Sequence, residues 1–262
     1  MYDYEKDGFY IAKSAFSKDF IQDLLDYLST LESKITLPFT NVVWGYGSLL
    51  DKGPFSKVPQ NEVVAEFCKF VLGDEYIFNH LFVHNKVQWI GPSIEWHQEV
   101  FNIDSFAPGY SKKEWKNFIQ VYVALEKQDL DNGCIKVFPG SHKEGILPFE
   151  DAVNEHFSHK RRVPFEKIEM LYKKYGLKNC ELEPGDILFF NHLLVHGSAS
   201  NASSRSRKSI VSQVRKNIRK KDNDIFEKES KYRINFVINS LKDRINSLKN
   251  IDLYGEQGRE KK

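Results

Sequence analysis

The stretch Pro184-Gly185-Asp186-Ile187-Leu188-Phe189-Phe190-Asn191-His192-Leu193-Leu194-Val195-His196-Gly197-Ser198 decides most of what this chain can be. Proline and glycine set a tight turn, because one fixes φ and the other accepts values that side chains forbid. Ile187 to Phe190 then reads as a strand that runs toward His196, with His192 as a competing histidine on the way. Outward from this segment, strands are expected at Gly8 to Lys13, Ile77 to Val87, Phe118 to Leu125, Cys134 to Val137 and Ser209 to Val214. Ser17 is placed to cap a helix to Leu31, with Phe20, Ile21, Leu24, Leu25 and Leu28 on one face. A second helix is expected over Asn61 to Val71, and a helical insertion over Phe149 to Tyr175. Near the C-terminus Ile234, Val237, Ile238, Leu241, Ile245 and Leu248 recur at helical spacing, which predicts a helix packed outside a sheet. Strands flanked by helices and long loops predict a mainly β fold, a sandwich or jelly roll with helical decorations.

Nothing in the composition divides the chain. There is no internal repeat, low-complexity tract or Pro/Gly/Ser linker, so one domain over 1–262 is expected, with a core of about 7–214 and a basic, helical extension over 215–262. At 262 residues, 41% hydrophobic and 28% charged, the chain matches ordinary globular proteins and excludes a disordered or fibrous one. Aromatic residues reach 14%, which favours strands around a bulky-walled core. The longest apolar run, Ile187 to Val195, is broken by Asn191 and His192, so no membrane span is expected. The start, MYDYEKDGFY, lacks the apolar core of a signal peptide. Cys68, Cys134 and Cys180 are odd in number and widely spaced, which argues against a disulfide framework and for a reducing cytoplasm.

The net charge of +2 is unevenly placed. Eight basic residues and no acidic one lie between Arg205 and Lys221, and taking that +8 away leaves −6 for the rest. Such a stripe can be a nucleic-acid footprint or a clamp for an anionic substrate. No nucleic-acid motif or interleaved stacking aromatics accompany it, so a solvated strand edge is the expectation and a nucleic-acid partner is not. Arg207 is the exception.

Of the eight histidines, His80, His84, His156 and His159 need no special role. The informative segment is Ile94-Glu95-Trp96-His97-Gln98-Glu99. On an extended backbone His97 and Glu99 project to the same side, giving an imidazole and a carboxylate as two ligands of a metal site. A third ligand is needed from elsewhere in the chain, and His196 is the expectation, with His192 as its competitor. Two histidines and one carboxylate leave three open positions on an octahedral Fe(II), the arrangement that activates dioxygen. A zinc protease would carry HExxH on a helix, and that motif is absent. A bidentate co-substrate would need a fixed cation for its far carboxylate, and an arginine fork suits this. Arg207 lies eleven residues past His196, and Ser209 adds a hydroxyl two residues on.

These residues resemble the phytanoyl-CoA dioxygenase (PhyH-like) family of Fe(II)/2-oxoglutarate oxygenases. Four ordered segments carry the resemblance: DGFYIAKSAFSKDFIQDL, WHQE, VYVALEKQDLDNGCIKVFPGSHKEG and EPGDILFFNHLLVHGSASNASSRSRKSI. They reach from about Asp7 to Ile210. The resemblance implies a double-stranded β-helix (jelly roll, cupin-like), His97, Glu99 and His196 as iron ligands, and Arg207 as the 2-oxoglutarate anchor. It also places Tyr122 and Lys86 in the lining of the co-substrate pocket, and Asn201, Ser203 and His142 in structural turns. The implied reaction uses O2 to decarboxylate 2-oxoglutarate to succinate and CO2 while a small metabolite or acyl substrate is hydroxylated. One residue departs from the pattern: the family usually has Asp where this chain has Glu99. Halogenating relatives resemble a site with Gly or Ala there, so halogenation is not expected. Two other classes fit the same scaffold: a non-catalytic jelly-roll binding protein, and a nucleic-acid binder through 205–221. The lid is expected from Asn41 to Pro59, Phe149 to Tyr175 and the C-terminal helix.

Overall fold

Every strand expected from the sequence forms, in a computed structural model that describes residues 4–32, 49–102, 111–152 and 161–217. The chain divides into two compact units, 1–218 and 219–262, and the second lies outside the described residues together with the helix expected over 234–248. His156, His159 and much of the Asn41 to Pro59 loop are outside them too. In chain order the strands are β1 (Phe9–Ala12), β2 (Tyr76–Lys86), β3 (Ile94–His97), β4 (Phe118–Ala124), β5 (Ile135–Val137), β6 (Glu150–Asp151), β7 (Arg161–Arg162), β8 (Lys178–Cys180), β9 (Ile187–Asn191), β10 (His196–Ser198) and β11 (Arg207–Lys216). The helices are α1 (Tyr4–Asp7), α2 (Lys18–Glu32), α3 (Glu62–Leu72) and α4 (Phe165–Tyr175).

Two antiparallel sheets, ordered β1-β9-β4-β11-β2 and β3-β10-β5-β8, make the jelly roll of the double-stranded β-helix. Alternation along the strands sorts the side chains. Phe9, Tyr122, Leu188, Phe190 and Val211 point inward and meet Ile135, Val137 and Cys180 of the smaller sheet. Val121, Val123, Phe189, Ile210 and Val214 point outward and are covered by α2 and α3 through Ile21, Leu24, Leu28, Val64 and Phe67. Phe67 stacks on Phe189 with centroids 4.0 Å apart, and fully burying a ring of this kind stabilises by about 2–3 kcal/mol. Both helices start where a side chain satisfies an orphan N–H. Ser17 Oγ accepts from Phe20 N at 3.2 Å, and Asn61 Oδ1 accepts from Val64 N at 3.2 Å.

One expected strand gains a defined end and one expected helix gains a ribbon. The strand expected over Ile187 to Phe190 forms and runs toward His196 without reaching it. It ends at Asn191, whose Oδ1 accepts from Leu193 N at 2.8 Å and whose carbonyl accepts from Leu194 N at 2.9 Å. That local turn hands the chain to the other sheet, where His196 begins β10. Among the described residues of the insertion Phe149 to Tyr175, the helix is α4, in its second half. Its first half contains the two-stranded ribbon β6–β7, held by Arg162 Nε donating to Glu150 at 2.9 Å.

Candidate metal centre and anion pocket

β3 ends on His97, β10 begins on His196, and the two are cross-strand partners with ring centroids 4.2 Å apart. His97 Nδ1 lies 2.7 Å from the Glu95 carbonyl, and His196 Nδ1 lies 2.9 Å from the Leu194 carbonyl. A carbonyl only accepts, so each Nδ1 carries a proton, which leaves each Nε2 to face the cluster. Both Nε2 atoms face Glu99 Oε1, at 3.7 and 3.4 Å. These ligand atoms all lie within 4.8 Å of one another, the one such group among the described residues. Right-angle bonds of about 2.1 Å would need ligand separations of roughly 3 Å. The site is therefore near the size a small divalent ion requires.

Glu99 is not on the strand but opens the 3₁₀ turn Glu99–Asn102. Gln98, between the two ligands, faces the other way. Its Nε2 donates to the Leu193 and Gly145 carbonyls at 2.7 and 2.9 Å, and its Oε1 accepts from Leu147 N at 2.9 Å. A buried amide with these contacts holds the turn rigid. Burial raises the Glu99 pKa, but hydrogen bonds and charge from His196 and His97 outweigh it and hold the carboxyl well below its usual range. Burial, then the neighbouring His97, lowers His196, which favours the neutral imidazole a metal needs. His192, the sequence competitor, stacks on Phe118 at 5.3 Å and is outside the cluster; burial pushes it down to about 4.

A second polar group lies on the same interior. Arg207, first residue of β11, pairs in register with Lys86, last residue of β2, and both are buried. Arg207 Nη1 donates to the Gly133 carbonyl at 2.7 Å, while its Nε has no partner. Lys86 Nζ donates to Ser198 Oγ at 2.8 Å and to the Ala199 carbonyl at 2.5 Å. Neither cation is ion-paired to a described carboxylate. Burial, then Arg207, pushes Lys86 down to about 6. Keeping a second charge beside the buried guanidinium is costly enough to strip the proton from Lys86 near neutral pH, and a carboxylate arriving between the two would restore it. Ser209, on the same face, has a buried hydroxyl with no partner. Tyr122 is also on the interior wall, its hydroxyl donating to Gln128 Oε1 at 2.9 Å.

Turns aim these groups. Asn132 accepts from Asp129 N at 2.9 Å and donates to the Lys127 carbonyl at 2.7 Å, closing the loop before Gly133. Gly133 has φ 73°, and a Cβ there would come within 2.3 Å of the Ala199 carbonyl oxygen. Only glycine lets this backbone present its carbonyl to Arg207. Asn201 donates to the Lys86 and Arg205 carbonyls at 3.0 and 2.7 Å and accepts from Ser203, tying the end of β2 to the start of β11. His142 has the structural place the resemblance implied. Its Nε2 lies 3.1 Å from the Glu5 carbonyl, and a Cβ on Gly8 would sit 2.4 Å from its ring.

With fold and site in view, the family profile of phytanoyl-CoA dioxygenase (PhyH) matches residues 4–209. The chain belongs to this family. Peroxisomal phytanoyl-CoA dioxygenase of Bos taurus is 33% identical over 99 residues, which cover 36% of this chain. The matches span only 27% and 28% of the length of the bovine and Caenorhabditis elegans phytanoyl-CoA dioxygenases. Ectoine dioxygenase of Sphingopyxis alaskensis is 24% identical over 216 residues, covering 76% of this chain and 69% of that protein. The crystal structure of EctD from S. alaskensis with 2-oxoglutarate and 5-hydroxyectoine has a TM-score of 0.62 at 19% identity, over 81% of this chain and 73% of that one. The epimerase SnoN, in complex with Fe3+, alpha ketoglutarate and nogalamycin RO, has a TM-score of 0.62 at 17% identity, over 81% and 80%. At these identities the structural likeness is one of fold.

Within this PhyH framework the sequence reading missed three residues of the site. Ser198 is two residues past His196 on a strand, and His84 two before Lys86, so the period of two would have found both. His84 is pushed down to about 4 by burial first, then by the charge of Arg207, with Glu99 opposing. Gln98 carried no signal beyond its position. The basic stripe also resolves in part. Arg205 pairs with Asp129 at 2.6 Å, Lys208 with Glu126 at 3.3 Å, and buried Arg215 donates to Asn79 Oδ1 at 2.6 Å. Among the described residues no helix is long and apolar enough to cross a membrane.

Proposed function

We propose that this protein is an Fe(II)- and 2-oxoglutarate-dependent dioxygenase acting on a small-molecule substrate, with His97, Glu99 and His196 as metal ligands. The observation that carries the reading is one barrel interior that holds both a His-Glu-His cluster and two buried basic side chains, Arg207 and Lys86, that pair with no carboxylate among the described residues. When bound, the iron supplies the oxidation of a substrate C–H bond by O2, coupled to decarboxylation of 2-oxoglutarate to succinate and CO2. The chain's part is geometric and electrostatic. The His97 and His196 imidazoles and the Glu99 carboxylate would hold the ion. Arg207 supplies the bidentate fork for the far carboxylate of 2-oxoglutarate. Lys86 adds a second cation, Ser209 and Ser198 add hydroxyls, and the Tyr122 ring forms the wall beside them. Glu99 in place of the family's Asp is accommodated because the backbone turns away at that residue, giving the extra methylene room. Hydroxylation is the outcome this set supports. We read 1–262 as one such domain, core about 7–214, with a basic extension over 215–262, working in the cytoplasm, where its three buried free cysteines stay reduced.

The test is turnover of carboxyl-labelled 2-oxoglutarate by the purified protein with Fe(II) and ascorbate under air. Labelled CO2 and succinate are expected in equal amounts, lost on chelation and restored by Fe(II). Absence of Fe(II)-dependent turnover across a broad substrate screen would overturn the reading.

A further inference from the structure

The interior face of the larger sheet continues past the metal ligands, away from Arg207. There Phe190, Gln120, Gln213 and His80 are successive cross-strand partners in one row. The Phe190 ring lies 4.6 Å from that of His196. Gln120 therefore stands one strand, about 4.8 Å, from a side chain that packs on a metal ligand. Gln213 is six residues along β11 from Arg207, roughly 20 Å of strand. A five-carbon co-substrate anchored at Arg207 does not extend that far, so this end of the sheet face is left for something else.

The row is polar where an acyl site would be apolar. Arg215 Nε donates to Asn79 Oδ1 at 2.6 Å, and Asn79 Nδ2 donates to Gln213 Oε1 at 2.7 Å. Arginine has no acceptor, so it fixes the direction of both amides and leaves the Gln213 amino group facing onward. Beside it, Gln120 is 4% exposed, and its Oε1 has no hydrogen-bond partner. A buried acceptor without a donor is rare in native proteins, because it has given up water for nothing. Here an oriented donor and an unsatisfied acceptor stand side by side, one and two strands from the Phe190 that packs on His196.

We propose that Gln120 and Gln213, held by Asn79 and Arg215, recognise the substrate, and that the substrate is a small polar molecule presenting an N–H or O–H donor to Gln120 Oε1 and an acceptor to Gln213. This inference rests on the oxygenase reading. An acyl thioester does not meet it, because its chain satisfies neither amide. Gln120 is a specificity residue that touches substrate and takes no part in holding metal or 2-oxoglutarate.

The probes are two phases of a chloroform–methanol partition of a bacterial extract: the aqueous phase, cleared of acyl thioesters on a reversed-phase cartridge, and the organic phase. The aqueous phase is expected to raise 2-oxoglutarate turnover at least threefold. Gln120→Leu should need at least tenfold more of it for half-maximal stimulation, while Lys178→Ala, an exposed change on β8, responds as wild type. Mass spectrometry of desalted protein gives a readout apart from turnover: a polar compound retained by wild type and lost from Gln120→Leu. Gln120→Met stands in if the leucine variant does not fold. Stimulation by the organic phase alone, by neither phase, or equally in the Gln120 variants overturns the proposal. If wild type forms succinate unstimulated, those outcomes leave the oxygenase reading intact; if it forms none under any condition, both fall.

Discussion

Lys86→Met should make the ligand-free protein more stable and the co-substrate complex weaker, two effects of opposite sign from one change. In the folded protein the ammonium is buried beside Arg207, and its pKa falls from the ordinary 10.5 to about 6. Between those values the unfolded chain binds more protons at this site than the folded one, so stability rises with pH by up to about 1.4 kcal/mol per unit. The cost is therefore full at pH 6 and below and gone near pH 10.5. At pH 7.5, three units below the unfolded value, it amounts to at most about 4 kcal/mol. Methionine removes that cost but deprives Ser198 and the Ala199 carbonyl of a donor, which returns about 1–2 kcal/mol. The net gain of about 2–3 kcal/mol corresponds to about 5–10 °C in Tm for a domain of this size. Melting curves of both proteins from pH 6.5 to 9.5, without and with 2-oxoglutarate under a non-turnover metal, check this. The variant's advantage should shrink steadily as pH rises, and 2-oxoglutarate should stabilise wild type more than the variant. A variant that melts lower at pH 7.5, or an advantage independent of pH, would show that Lys86 is not an uncompensated buried cation.

The remaining predictions concern the proposed ligands and anchor. His97→Ala and His196→Ala should each abolish Fe(II)-dependent 2-oxoglutarate turnover while circular dichroism stays that of wild type; full activity in either would remove that residue from the site. Glu99→Asp should keep part of the activity and Glu99→Ala almost none, and normal turnover by Glu99→Ala would refute the carboxylate assignment. Arg207→Ala should raise the 2-oxoglutarate KM a hundredfold or more, since losing one partner of a buried charge pair costs roughly 3–5 kcal/mol. Arg207→Lys should recover only part of this, and Lys208→Ala, whose side chain pairs with Glu126 on the outer face, should not move KM.

Much of this was legible in the sequence because the long strands carry strong patterns. Apolar Ile187 to Phe190, the alternation in β4 and β11, and the capped faces of α2 and α3 all formed within a residue or two of expectation. The smaller sheet was harder to read. β3, β10 and β8 are three or four residues long, too short for a period to show, and β8 reads Lys-Asn-Cys. The corner at Asn191 was missed because Leu193, Leu194 and Val195 look like a continuing strand. They instead divide between two packed clusters, Leu194 inside the jelly roll and Leu193 and Val195 beneath α4. His97, Glu99 and His196 were readable as a chemical set. Their alignment rests on a register, His97 opposite His196, that no local pattern encodes.

Register also explains why the quoted signatures are spread over two hundred residues. Arg207 and Lys86 meet only if β2 and β11 pair in one alignment, and three features outside the strands fix it. Asn201 ties the end of β2 to the turn before β11, Gly133 offers the carbonyl that receives Arg207, and Ser198 receives Lys86. A slip by one residue would send every inward side chain of β11 outward, exposing Val211 and burying Lys208. The arrangement keeps two basic side chains together in the folded chain, so that Lys86 holds its proton only with difficulty, which hydrophobic burial alone would never select. A cluster that local energetics disfavours, yet that several hydrogen bonds are arranged to hold, is expected where an anion completes it. On the proposed reading the stabilising partner of Arg207 and Lys86 is the co-substrate itself, and the jelly-roll core has to be stable enough to hold them apart from water until it binds.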